Sequence, residues 1–280
     1  MTSSVNGLII RAADYGENHR IFTLLTAEYG KISAGAYGAR SLKNPLSASL
    51  QMMNYCELHL SEKRGRVTIS EAAVIEDFRE LRLDALSMAV GQYFCEVSDD
   101  VTLENEPAEN MLRHTLNSLW ALAHDPLRMF QIKAVFEMRT ACISGFMPDL
   151  VACRKCGCGC GDNDAGQNAG IFDISDGSLL CSDCHIRLPV KDLYYENGTM
   201  RRMFRLSPPL LSALRYIISA PDGKQLAFRT DDETGEMLSE LCELYLTTHL
   251  EHSYKSLNFI NRLQTLKASA DSTQNEDTNK

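Results

Sequence analysis

Three features of this 280-residue sequence set the expected fold class: short alternating apolar segments up to about residue 79, apolar residues recurring every three or four positions from Phe78 onward, and two Cys-x2-Cys motifs in mid-chain. Together they predict an α+β multidomain chain. An N-terminal five-stranded β-barrel is followed by a helical bundle, into which a four-cysteine, ribbon-like module is inserted. The expected boundaries are 1–79 for the barrel, 80–150 and 191–267 for the two halves of the helical domain, and 151–190 for the module. Residues 268–280 hold no apolar side chain larger than alanine and are expected to be a disordered tail.

The barrel rests on five runs separated by turn signals. Val5 to Arg11 is the first strand, and Ala13 to His19 is a turn into Arg20 to Thr26. Glu28-Tyr29-Gly30 turns the chain into Lys31 to Tyr37, and a polar loop from Gly38 to Pro45 precedes a long strand from about Leu50 to Leu60. A basic turn, Ser61 to Arg66, leads to Val67 to Ile75. Five strands in about 75 residues suit an OB-type barrel, a fold that binds oligonucleotides across strands 2 and 3 between two flanking loops.

The helical pattern begins with Leu81, Leu83, Leu86, Val90, Tyr93, Phe94 and Val97. Asn105-Glu106-Pro107 starts a second helix, and Asp125-Pro126 caps a third that stops at Gly145-Phe146-Met147-Pro148. Ser207-Pro208-Pro209 opens another, and further helices are expected over about Asp232 to Leu250 and His252 to Lys267. The single Trp120 sits at helical spacing, which places it in the core.

Between the helical halves lie Cys153-Arg154-Lys155-Cys156 and Cys181-Ser182-Asp183-Cys184, 24 residues apart. Two such knuckles can set four thiolates around one ion, the pattern of a structural zinc site. Ile171 to Leu180 reads as strand, Asp-Gly turn, strand, a hairpin that returns the second knuckle to the first. The alternative, a pair of disulfides, needs an oxidising compartment. The N-terminus shows no basic signal-peptide region, and no run of 18 apolar residues marks a membrane span, so a cytoplasmic, reducing location is expected. The expected cofactor is therefore one structural Zn2+ per chain, held by Cys153, Cys156, Cys181 and Cys184. Cys158, Cys160 and His185 stand close enough in sequence to replace one of them. Cys56, Cys95, Cys142 and Cys242 sit singly in apolar patterns, as buried thiols do.

The net charge of −9 argues against coating nucleic acid by bulk charge, but Lys31 to Arg66 carries six basic residues against two acidic ones. Lys31, Arg40, Lys43, Lys63, Arg64 and Arg66 are candidate phosphate contacts on the barrel, with Tyr15 and Tyr37 as candidate stacking platforms. Tyr29 is read as a barrel-edge residue. No phosphate-binding Gly-x4-Gly-Lys loop occurs, and the histidines lack recognisable catalytic partners, so no enzymatic activity is expected. An RNA-binding protein and a protein-interaction adaptor are the competing classes.

The run from Gly7 through Tyr15-Gly16-Glu17, Gly30-Lys31 and Gly38-Ala39-Arg40 resembles the opening of the RecO family of bacterial recombination mediators. The paired knuckles and Ile171-Phe172-Asp173-Ile174-Ser175-Asp176-Gly177 resemble that family's zinc-bearing branch, and Lys255-Ser256-Leu257 resembles its C-terminal helix. The chain departs from the pattern at Asn44, where a small hydroxyl residue is usual, and in the extra Cys158 and Cys160. The resemblance covers about residues 5 to 263. It implies binding of single- and double-stranded DNA, strand annealing, and partnership with RecR and with the acidic C-terminal tail of the single-stranded-DNA-binding protein SSB. It further implies assistance, indirectly, to RecA loading during DNA repair and recombination, at the nucleoid of a bacterial cytoplasm. The helix around Lys133 and Arg139 is the candidate seat for the SSB tail.

Overall fold

The computed structural model describes residues 2–41, 43–160, 170–189 and 200–265. Its N-terminal strands are β1 (Thr2–Tyr15), β2 (His19–Thr26), β3 (Gly30–Ala36), β4 (Tyr55–Lys63) and β5 (Arg66–Glu76), closed into a barrel in the order β1-β2-β3-β5-β4. Neighbours are antiparallel except β3 and β5, which meet in parallel at Gly35 and Thr68. Side chains alternate across a strand, so Phe22 and Leu24 of β2 and Ala34 and Ala36 of β3 fill the interior with Ile9, Leu58 and Ile69. The intervening Ile21, Ser33 and Tyr37 are left outside. A bulge between Ile9 and Arg11 bends β1, the strand that pairs with both β2 and β4 and so shuts the barrel.

The fourth strand differs from the expectation. It starts at Tyr55, not Leu50, because a short helix, α1 (Pro45–Ser49), is followed by a turn in which the Asn54 N–H donates to the Gln51 carbonyl at 3.1 Å. Asn44 caps that helix, its side-chain oxygen accepting from the Leu46 N–H at 2.9 Å, and Pro45 occupies the first helical position, where its missing N–H costs nothing. Met53 then takes a left-handed conformation (φ 67°) and packs on Gly91, where a Cβ would lie only 2.6 Å from the Met53 sulfur. Gly91 in mid-helix is thus explained by a close approach.

The chain divides into two compact units, Met1–Met129 with Ser253–Lys280, and Phe130–His252. In the first, the barrel is joined by α2 (Ala85–Val101), α3 (Glu109–His124) and a helix over 255–265, α8. The Glu96 carboxylate of α2 accepts from the Lys255 and Ser256 backbone N–H groups at 3.2 and 3.0 Å, capping α8. The buried Tyr254 donates to Asp100 at 2.9 Å. Lys255-Ser256-Leu257 is therefore the point where the C-terminal helix is pinned to α2. Trp120 is not in the core: it is 54% exposed on α3 and stacks on His124 at 4.1 Å. Leu112, Leu119 and Leu122 take the inward face, and Trp120, one step of about 100° past Leu119, turns outward.

The second unit holds α4 (Met129–Ile143) from its second residue, a four-stranded sheet ordered β6-β8-β7-β9, and helices α5 (Ser182–Ile186), α6 (Pro208–Ser219) and α7 (Asp232–Leu250). The strands are β6 (Asp149–Cys153), β7 (Gly170–Asp173), β8 (Ser178–Leu180) and β9 (Met203–Leu206). The expected hairpin of the cysteine module is β7–β8. The tail expected at 268–280 lies outside the described residues.

Candidate nucleic-acid groove and metal centre

A groove of about 390 Å³ runs over the outer face of β2 and β3. Its floor is Ile21, Ser33 and Gly35; Tyr15, His19, Arg20 and Tyr37 stand on one side, and Gly65, Arg66, Val67 and Thr68 on the other. Tyr15 and His19 are paired across the β1–β2 turn, so both are delivered to the same edge. Tyr15 and Tyr37 are 60% and 63% exposed. Large aromatic faces open to water beside a floor of Ile21, Ser33 and Gly35 form a platform on which flat rings can stack.

The β4–β5 turn supplies the opposite wall. Lys63 pairs with Arg66, leaving Arg64 and Gly65 as a two-residue loop, both with positive φ (53° and 74°), the type I′ turn that matches the strand twist. Gly65 suits that conformation; arginine at Arg64 does not, since asparagine or glycine is preferred there. Lys63, Arg64 and Arg66 are exposed, as is Lys43. Among the described residues no carboxylate pairs with any of these four.

The other two basic candidates are already engaged. Lys31 sits at the far end of β3 from Tyr37, where its ammonium pairs with Asp99 at 3.1 Å and also donates to the Asp99 carbonyl. The turn beside it is packed against the loop before α3: Lys31 N–H donates to the Leu103 carbonyl at 3.0 Å, and a Cβ at Gly30 would collide with the Leu103 and Glu106 carbonyls. Tyr29 shares that end, away from the groove. Arg40 donates to the Glu17 carbonyl at 3.0 Å and lies 3.6 Å from Asp14, bracing the β1–β2 turn. Asp14 also accepts from Arg20 at 2.8 Å, and that bond holds its carboxyl below the usual carboxylate range. Asn44 bonds the Tyr37 carbonyl at 3.0 Å while capping α1, so it supports the tyrosine instead of facing solvent.

The cysteine module is built differently. Cys153 ends β6 and Cys181 caps α5, its sulfur accepting from the Cys184 N–H at 3.4 Å. Gly157, at φ 72°, closes the first knuckle by donating to the Cys153 carbonyl at 2.8 Å. The sulfurs of Cys153, Cys156, Cys181 and Cys184 lie within 4.8 Å of one another. An S4 tetrahedron with bonds of about 2.3 Å has edges of about 3.8 Å, and Cys156 to Cys181 measures 3.8 Å. These four residues fit one metal ion. Burial would raise the Cys153 thiol, but backbone hydrogen bonds from Cys181, Cys156 and Lys155 outweigh it and bring the group down to about 6. Cys184, hydrogen-bonded to the Cys156 and Cys181 sulfurs, is pushed up to about 12. Unneutralised thiolates this close repel, which is the charge problem a cation solves.

Cys160 and His185 stand aside, while Cys158 borders the cluster, hydrogen-bonded to the Cys156 and Cys181 sulfurs. Cys160 is fully buried, with its thiol raised to about 11 by desolvation, and neither it nor His185 joins the four sulfurs. Cys158 lies 3.3 Å from the Cys156 sulfur but outside the cluster. Burial likewise raises Cys56 to about 11 and Cys95 to about 12, which keeps these thiols inert.

The hairpin is tied to the first knuckle by charge. Buried Asp173 meets Arg154 at 3.1 Å and Arg201 at 3.0 Å, and both arginines also reach Asp176. Lys133 does not rim a surface groove: it is 2% exposed, held at 2.7 Å by both Glu137 and Glu243. Arg139 spends its guanidinium on the Ile218 carbonyl and Asp222, each at 3.0 Å. A cation at helical spacing beside apolar residues looks the same in sequence whether its helix face is covered or bare, so these pairings were not legible there. His19 and Arg20 are groove residues that sequence reasoning missed; their position directly after the β1–β2 turn was the available signal.

Residues 1–78 match the family described as "Recombination protein O N terminal", and residues 82–258 match "Recombination protein O C terminal". The chain is 30% identical over 262 residues to the DNA repair protein RecO of Acetivibrio thermocellus, covering 94% of this chain and 97% of that one. It is 27% identical over 265 residues to the DNA repair protein RecO of Symbiobacterium thermophilum, covering 94% and 98%. To the DNA repair protein RecO of Bacillus pumilus it is 29% identical over 264 residues, covering 93% and 94%. Among the described residues, no helix is long and apolar enough to cross a membrane.

Proposed function

This chain belongs to the RecO family of DNA repair proteins, and from that premise we propose that it is a cytoplasmic, non-enzymatic recombination mediator that binds single- and double-stranded DNA and anneals complementary strands. The observation that carries this reading is the groove on β2 and β3, with Tyr15 and Tyr37 open beside it and Arg66 on its wall. Stacking on tyrosine accepts any base, and basic side chains follow the backbone, so binding is insensitive to sequence. Lys43, Lys63, Arg64 and Arg66 carry the phosphate contacts. Neutralising phosphates on two strands at once lowers their mutual repulsion, which is the physical requirement of annealing. Arg40 supports the site by holding its turn, and Lys31 contributes to the fold of the barrel's other end.

In this reading the metal is one structural Zn2+ held by Cys153, Cys156, Cys181 and Cys184. Four thiolates leave no coordination position for water, so the ion's contribution is to fold the module. RecR, the SSB tail and, indirectly, RecA are the partners, and the net task is helping RecA load on SSB-coated strands.

Titration of a fluorescent oligo-dT against NaCl tests the binding. Four phosphates neutralised on a single strand give a slope of about −3 in log affinity against log salt, from about −0.7 per contact. The accompanying assay is annealing of SSB-coated complementary oligonucleotides with and without RecR. Absence of salt-dependent DNA binding at low ionic strength, or affinity for structured RNA well above that for DNA, overturns the reading.

A further inference from the structure

His19 lines the groove with one ring nitrogen already engaged. Its Nδ1 accepts the backbone N–H of Gly38 at 3.1 Å. A backbone amide only donates, so Nδ1 carries no proton and the neutral ring bears its hydrogen on Nε2. The ring stands edge-on against Tyr37, with centroids 4.9 Å apart and planes at 83°. Gly38 is at φ 70° and Asn44 bonds the Tyr37 carbonyl, so the segment holding the ring in place is itself tied down. Among the described residues Nε2 has no hydrogen-bond partner. The side chain lines the groove together with Arg20 and Arg66.

Resting on the reading of the groove as a DNA site, we infer that His19 is a further contact residue: its Nε2–H donates to a phosphate oxygen of a single strand lying across β2 and β3. The geometry favours phosphate because the groove walls carry the Arg66 guanidinium, which has no carboxylate partner among the described residues, beside that of Arg20, which is paired with Asp14; the unpaired charge draws the backbone there. Tyr37, perpendicular to the same ring and 63% exposed, offers its open surface to a base. His19 thus fixes the spacing between a stacked base and its own phosphate. Being neutral, it adds affinity without releasing a counterion.

Two substitutions separate this contact from a purely structural role. His19→Asn keeps a short acceptor for the Gly38 N–H but has no group at the Nε2 position. His19→Gln reaches that position with an N–H donor and gives up the Nδ1 acceptor. Affinities of both are measured for oligo-dT and for an abasic oligonucleotide of the same length, across a salt series, with thermal melting of each variant recorded. A contact predicts that His19→Asn binds both strands roughly three- to tenfold more weakly with an unchanged salt slope, the size of one hydrogen bond, while His19→Gln retains more of the affinity. If His19→Asn binds like the native protein, or loses affinity only in step with its melting temperature, the ring merely pins Gly38 and the inference fails while the DNA-binding reading stands. A loss seen on oligo-dT but absent on the abasic strand means a base contact and overturns the phosphate assignment. Failure of the native protein to bind either strand overturns the functional reading, and this inference with it.

Discussion

The barrel and the cysteine module are both small β structures, and they reach stability by opposite routes. The barrel closes around an apolar interior of Ile9, Phe22, Leu24, Leu58 and Ile69, so burial alone can hold it. Its turns can then carry unpaired charges: Lys63, Arg64 and Arg66 are exposed on the β4–β5 hairpin, with no carboxylate partner among the described residues. In the module, Cys153, Cys156, Cys181 and Cys184 form one cluster, and Arg154 and Arg201 are consumed by Asp173 and Asp176. Arg64 and Arg66 in the first region are left exposed to solvent, whereas Arg154 and Arg201 in the second hold the module's strands together. The difference teaches that a basic residue's role follows from what its neighbours already satisfy.

Three changes break or sharpen this contrast. The largest effect is expected at the metal ligands. Cys153→Ser or Cys184→Ser should abolish stoichiometric zinc and unfold the module, since structural zinc supplies about 10–16 kcal/mol in small fingers. Metal content and urea unfolding check this, and the expectation for the barrel is that oligo-dT binding at low temperature persists. Full zinc retention by both variants would show that other residues hold the ion.

Next is Asp173→Asn, which keeps the shape but leaves two guanidiniums facing an uncharged amide. Breaking a buried pair costs about 3–5 kcal/mol, and the exposure of both arginines to water places this case at the low end. The urea midpoint of the zinc-loaded protein reads it, with DNA affinity unchanged. A shift of less than about 0.5 kcal/mol, the range of an ordinary surface substitution, would mean that the network is only decoration.

The smallest effect is the most pointed. Arg64→Gly should stabilise the barrel by about 1 kcal/mol by relieving a left-handed arginine, while reducing the salt slope by about 0.7 through loss of one phosphate contact. Opposite signs for stability and binding would show a cation kept at that turn for function. If both fall, Arg64 contributes to folding.

Much of this was legible in the residues themselves. Alternation marked the five strands because each has one face in a closed interior, and the Cys-x2-Cys spacing marked the four clustered cysteines because two knuckles are the short-range geometry a tetrahedron needs. The misplaced start of β4 came from reading Leu50 to Asn54 as strand, although Asn44-Pro45 carries a helix-start signal. Trp120 was assigned to the core on spacing, which identifies a stripe but leaves an offset of one residue unresolved.

By itself, then, the sequence determined the periodic features: the five barrel strands, the main helices, and two Cys-x2-Cys knuckles whose four sulfurs the fold then brings together. These depend on neighbours within a few positions. Only the tertiary structure decided which charges are available, because pairing joins residues far apart in the chain. Lys31 is taken by Asp99, Lys133 by Glu137 and Glu243, and Arg154 by Asp173, while Arg66 is left facing a groove whose other wall comes from β1 and β2. An ionic bond falls off over a few ångströms in space and is blind to separation along the backbone.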